Sequence, residues 1–152
     1  MAALDGKQIV LGITGCIAAY KAAELVRQLV KQGARVHVVM TKNAQEFVAP
    51  LTFQTLTGNS VATELFLLYE EQKIGHISLA QRADILVIAP ATANIIGKAA
   101  GGIADDLLST VLMAARAPVL FAPAMNEGMW DSPAVQRNVR ALKDTGCHFV
   151  DP

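Results

Sequence analysis

Two cysteines in 152 residues, Cys16 and Cys147, are too few and too far apart for a zinc site or a disulfide framework, so no metal is expected. Both fit a reducing compartment in which they stay thiols. Charge is scarce as well: 17% of residues are Asp, Glu, Lys or Arg, below the roughly 25% of soluble domains. The 13 basic residues balance 13 acidic ones, and with no basic patch nucleic acid is not an expected partner. No apolar run approaches the roughly 20 residues of a membrane span, so no membrane contact is expected. The opening MAALDGKQIV lacks a secretion-signal pattern, which predicts a cytoplasmic protein. Repeats, low-complexity tracts and linkers are also missing, and the length suits one domain over residues 1–152. What is abundant is apolar side chains, at 53% of residues. Part of their surface is expected to be hidden by self-association.

Strand-like and helix-like segments alternate from end to end. That alternation predicts an α/β fold of three layers, a flavodoxin- or Rossmann-like doubly wound parallel sheet. The apolar runs at 9–13, 36–40, 85–89, 119–122 and 147–150 read as its strands. Between them, Ala18, Ala22, Leu25 and Leu29 share one helical face that Gly33 terminates. A helix is expected from about Asn43, and another from Pro50 to near Gly58. Residues 59–75 read as a short edge element and a mobile loop, in which Glu70-Glu71-Gln72-Lys73 is solvated. Further helices are expected at 77–82, 94–100, 105–115 and 133–145.

The most informative segment is PAMNEGMW at 123–130. A strand delivers it to the sheet's C-terminal edge, where ligands of open α/β sheets bind. There Asn126 could donate to or accept from a ligand's carboxylate, between apolar walls from Met125, Met129 and Trp130. Alternatively, Asn126 caps a short helix before Pro133. At the end of the first strand, the turn Gly12-Ile13-Thr14-Gly15-Cys16 opens a helix and suits a phosphate, unless it is only a tight turn. It lacks the third glycine of a dinucleotide fingerprint. Thr41-Lys42 stands where an NAD site would carry an acid, so a mononucleotide such as FMN fits better. After the third strand, PATAN offers the Thr92 hydroxyl and Asn94 at a helix start. His76 begins an amphipathic segment, where an imidazole could exchange a proton, hold a carboxylate or be structural. His37 and His148 read as structural.

Together GITGCIAAYKAAEL, the His76-Ile77-Ser78-Leu79-Ala80 segment, PATAN and PAMNEGMW resemble the flavin-dependent cysteine decarboxylases, over essentially the whole chain. Within them the resemblance is to the phosphopantothenoylcysteine decarboxylases that form the N-terminal half of a bifunctional coenzyme A biosynthesis protein. It implies FMN as cofactor, 4′-phosphopantothenoylcysteine as substrate and 4′-phosphopantetheine as product. It also implies a catalytic His76, and a substrate site in which Asn126, beside Met125, holds the carboxylate. Thr41, Phe47, Thr92, Ala93, Asn94 and Ala124 would line the FMN site, with Thr14 and Gly15 near the phosphate. The implied assembly is a homotrimer or dodecamer. The resemblance also admits two other roles, a peptidyl-cysteine decarboxylase and a non-catalytic flavin-binding regulatory subunit.

Two departures stand out. Cys16 replaces a glycine common in the family. The family also continues into a loop with an Ala-Cys-Gly motif that supplies a proton donor, and Cys147 does not match it. The chain is therefore expected to be part of a longer polypeptide.

Overall fold

The computed structural model describes residues 2–65 and 76–152, the side chains of His76 and Ile77 excepted. The described part of the 59–75 stretch supplies the expected edge element, as one parallel bridge between Val39 and Ala62. The remainder of that stretch, with Glu70-Glu71-Gln72-Lys73, lies outside the described residues.

Each strand and helix forms where its apolar pattern finds a partner surface. In chain order they are β1 (Gln8–Ile13), α1 (Lys21–Lys31), β2 (Arg35–Met40), α2 (Pro50–Thr57), α3 (His76–Arg82) and β3 (Ile85–Ala91). Then follow α4 (Ala93–Gly101), α5 (Leu107–Ala114), β4 (Val119–Pro123), α6 (Glu127–Trp130), α7 (Pro133–Asp144) and β5 (His148–Phe149). The strands read as unbroken apolar runs because both sheet faces are covered. Ile9, Leu11 and Ile13 of β1 pack with Val26 of α1 and Phe53 of α2. Val10, one residue out of phase, joins Leu79 of α3, Ile96 of α4, Leu108 of α5 and Val139 of α7 on the other side.

All strand pairs are parallel, in the order β2-β1-β3-β4-β5, which is the flavodoxin-like arrangement. The three-layer α/β fold expected from the sequence is the one observed. Chain direction across the sheet reverses between β1 and β3, and this opens a crevice at their C-terminal ends.

Local chemistry sets the element boundaries. Pro50 and Pro133 occupy first-turn positions that need no N–H donor, and Gly58 ends α2 in the left-handed conformation. Asp106 and Ser109 form a reciprocal capping box at the start of α5. Three boundaries differ from expectation. The helix expected from Asn43 is a single 3-10 turn, Asn43–Glu46, and another 3-10 turn, Ile17–Tyr20, precedes α1. β3 runs on through Pro90 to Ala91, with a register shift against β4 after Ile88. Among the described residues no helix is long and apolar enough to cross a membrane.

Candidate functional site

The C-terminal ends of β2, β1, β3 and β4 open into one cavity of about 730 Å³. It is assembled from the segments that carried the sequence motifs.

At the end of β1, Thr14 is buried, and its Oγ1 donates to the Pro90 carbonyl at 2.6 Å. The same oxygen accepts from the Thr92 N–H at 3.1 Å. Thr14 therefore staples β1 to the end of β3 and has no hydroxyl proton left for a ligand. Gly15 follows, and the loop after β2 lies against it: a Cβ there would overlap the Asn43 Cβ and come within 2.8 Å of the Asn43 carbonyl carbon. The glycine is required by this close approach, not by a positive φ. The N–H groups of Gly15, Ile17 and Ala18 have no acceptor among the described residues. The half-buried Cys16 thiol also lines the cavity here.

Two further threonines serve the backbone. Thr41 Oγ1 accepts from the Ala44 N–H at 3.2 Å, and Thr92 Oγ1 caps α4 by accepting from the Ile95 N–H at 3.3 Å. Both still present atoms to the cavity, as do Lys42, Asn43 and Asn94. Two expected lining residues lie elsewhere. Phe47, which follows the 3-10 turn Asn43–Glu46, is about half exposed and outside the lining. The Ala93 methyl packs against the core beneath the sheet edge.

At the end of β4, Ala124, Met125, Asn126 and Met129 form the opposite wall. Asn126 fulfils the capping alternative, since its Oδ1 accepts from the Gly128 N–H at 2.8 Å. That bond leaves Nδ2, an obligate donor, with no acceptor among the described residues. Trp130 packs on the core instead of lining the cavity.

Sequence reasoning missed the charged part of the wall. Lys98 and Asp106 line the cavity, and Lys98 Nζ stands 2.8 Å from Asp105 Oδ1. Hydrogen bonding to Lys98 holds the Asp105 carboxyl below the usual carboxylate range, against a smaller opposing effect of desolvation. The available signal was spacing: Lys98 is four residues after Asn94 and shares its face of α4. His76 opens α3, but its side chain is outside the described residues. His37 lies outside this cavity, in a separate cavity of about 710 Å³ with Arg35 and Arg82. Desolvation, and secondarily Arg82, push its pKa below the ordinary value. His148 is exposed, and Cys147 packs toward the core and not the site.

Known proteins share both this sequence and this fold. The coenzyme A biosynthesis bifunctional protein CoaBC of Bacillus subtilis (strain 168) is 50% identical over 149 residues, 98% of this chain and 37% of the relative. The CoaBC protein of Vibrio parahaemolyticus is 46% identical over 152 residues, 100% of this chain and 38% of the relative. The chain thus spans well under half the length of these curated relatives. Among solved structures, the FMN-dependent cysteine decarboxylase SpaF superposes with a TM-score of 0.89 at 37% identity, covering 99% of this chain and 86% of that one. A PPC decarboxylase mutant complexed with pantothenoylaminoethenethiol gives 0.83 at 32% identity, covering 97% of this chain and 82% of that one. A crevice at the switch point of a 2-1-3-4-5 sheet, walled by the glycine turn, PATAN and PAMNEGMW, accords with these likenesses. A sequence model of the Flavoprotein family matches residues 2–152, and the chain belongs to that family.

Proposed function

We propose that residues 1–152 form an FMN-binding decarboxylase domain that converts 4′-phosphopantothenoylcysteine to 4′-phosphopantetheine in coenzyme A biosynthesis. The observation that carries this reading is the divided amide of Asn126. With Oδ1 tied to the Gly128 N–H, Asn126 in the cavity lining keeps Nδ2 as a donor without an acceptor among the described residues, which a substrate carboxylate can use. The identity to CoaBC proteins supports this substrate over a peptide ending in cysteine.

The cavity fits FMN. Its volume lies in the range of cofactor sites, about 300–1,000 Å³, and the N–H groups of Gly15, Ile17 and Ala18, without an acceptor among the described residues, suit a phosphate. Gly15 and Thr41 would hold the phosphate end, on the turn that Thr14 staples to β3, with Thr92, Asn94 and Ala124 along the ring. FMN supplies the redox chemistry that places the substrate carboxylate β to a thiocarbonyl, from which carbon dioxide leaves readily.

The chain's own groups bind and orient. Asn126 donates to the carboxylate, and Met125 and Met129 exclude water from it. His76 is assigned the proton-transfer role. Exposed Ile17, Tyr20 and Leu51 support self-association, as a homotrimer or dodecamer, and the composition supports a cytoplasmic setting.

The test is decarboxylation by the FMN-loaded protein, followed as carbon dioxide release and by mass spectrometry of the decarboxylated product. Phosphopantothenoylcysteine should be consumed and a peptide ending in cysteine left intact; the reverse preference, or FMN binding with no turnover of either, would replace the reading. His76→Asn should keep FMN and lose activity by on the order of 10²-fold or more. Unchanged turnover would show His76 to be structural.

A further inference from the structure

Lys98 is one helical turn beyond Asn94 on α4, and both line the cavity. Its side chain is only 19% exposed, with Nζ 2.8 Å from Asp105 Oδ1 and 3.9 Å from Asp106 Oδ2. Asp106 does not depend on Lys98 for its position, whereas the more exposed Asp105 has Lys98 as its nearest partner. Asp106 Oδ1 accepts from the Ser109 N–H at 2.8 Å as the cap of α5, and the Ser109 hydroxyl lies 3.4 Å from Asp105 Oδ1. Removing the lysine would therefore leave two uncompensated negative charges at the α4–α5 turn, of which Asp106, fixed as the α5 cap, lies in the cavity wall.

The substrate is itself anionic at two places, carboxylate and phosphate. Charges act over longer distances in a partly desolvated cavity than in bulk water, so an uncompensated Asp106 would oppose binding. An exposed ion pair contributes little to stability. Lys98 is four-fifths covered and faces the ligand space, so its charge matters more to what enters.

We propose that Lys98 is a positioning residue for the anionic substrate: its ammonium offsets one of the two negative charges of the Asp105–Asp106 pair and so shields the substrate carboxylate from Asp106 in the cavity wall as it settles on Asn126. This inference rests on the decarboxylase reading, which supplies the substrate. The competing role is packing, because the Lys98 stem also walls a second cavity of about 200 Å³ behind the site.

Steady-state kinetics of the FMN-loaded protein separate the two. Lys98→Met should raise KM for phosphopantothenoylcysteine on the order of ten-fold with little change in kcat, because the lost interaction is mainly with bound substrate. FMN affinity should be unaltered. Lys98→Arg should stay near wild type. Adding Asp106→Asn to Lys98→Met restores the charge balance and keeps a good helix cap, so KM should return most of the way. The KM penalty of the single variant should also shrink as salt screens the repulsion. A folded Lys98→Met protein with unchanged KM would overturn the proposal. So would a KM rise that neither Asp106→Asn nor salt relieves, because packing would then be the cause. Wild-type protein that fails to turn over this substrate overturns both the proposal and the decarboxylase reading, whereas an active wild type with an unaffected Lys98→Met overturns the proposal alone.

Discussion

The amide of Asn126 divides its two ends between fold and cavity, and this makes a sharp substitution possible. Aspartate caps helices as well as asparagine does, so Asn126→Asp should keep the Gly128 bond and α6. What changes is the free end, from a donor to a carboxylate oxygen. Repulsion of the substrate carboxylate plus the lost hydrogen bond should weaken substrate binding by roughly 2–5 kcal/mol, read as KM or by titration, with circular dichroism unchanged. Normal binding by this variant would reduce Asn126 to a cap. The sequence left Asn126 as either cap or ligand group; the structure shows the cap and places the residue in the cavity lining, which keeps the proposed ligand role open to this test. The threonines were less legible. Thr14, Thr41 and Thr92 occupy strand ends as expected, yet each oxygen accepts a backbone N–H. Residue type does not reveal that, because a hydroxyl serves a ligand or its own turn equally well.

At the level of elements, the glycine turn was found for the right place and an incomplete reason. A strand running into glycines and then a helix suggests a phosphate, but the constraint on Gly15 comes from Asn43, a neighbour 28 positions away. Such packing of one loop on another is invisible to local pattern. Gly15→Ala should destabilise the fold by about 1–3 kcal/mol, as overpacking does, and weaken FMN binding because the Asn43 loop must retreat; thermal unfolding and FMN titration measure both. Full stability and affinity would mean that the loop yields freely. Helix spacing, in contrast, was enough to find Lys98 beside Asn94, had charge been followed along α4 as closely as apolar residues were. On β2, His37 gives a prediction whose sign follows from its surroundings. Burial and then Arg82 push it below its ordinary 6.5, so between the folded value and 6.5 the unfolded chain binds more protons. Its contribution to stability is complete above that window and is lost as pH falls through it. His37→Gln should flatten the fall in unfolding temperature below about pH 6.5. An unchanged profile would assign the acid sensitivity to other groups.

For the whole molecule, alternating apolar strands and amphipathic helices were enough for a three-layer α/β fold, because burial of both sheet faces dictates that pattern. Strand order was not legible, since it depends on pairings such as β1 with β3 across more than seventy residues. Yet that order places the crevice, by putting the reversal between the strands that carry the glycine turn and PATAN. A cofactor seated there touches four strand ends, so its binding energy should appear as stability of the entire domain. A ligand at 100 times its dissociation constant stabilises the native state by about 2.7 kcal/mol. For a chain of this size each kcal/mol raises the unfolding temperature by about 2–4 °C, so saturating FMN should raise it by about 5–10 °C. Each further tenfold in FMN should add about 1.4 kcal/mol of stability, a logarithmic climb that distinguishes specific binding from a solvent effect. NAD should produce no such climb, because the turn lacks a third glycine and β2 ends in Thr41-Lys42. Equal shifts with NAD, or none with FMN, would remove the crevice as the flavin site.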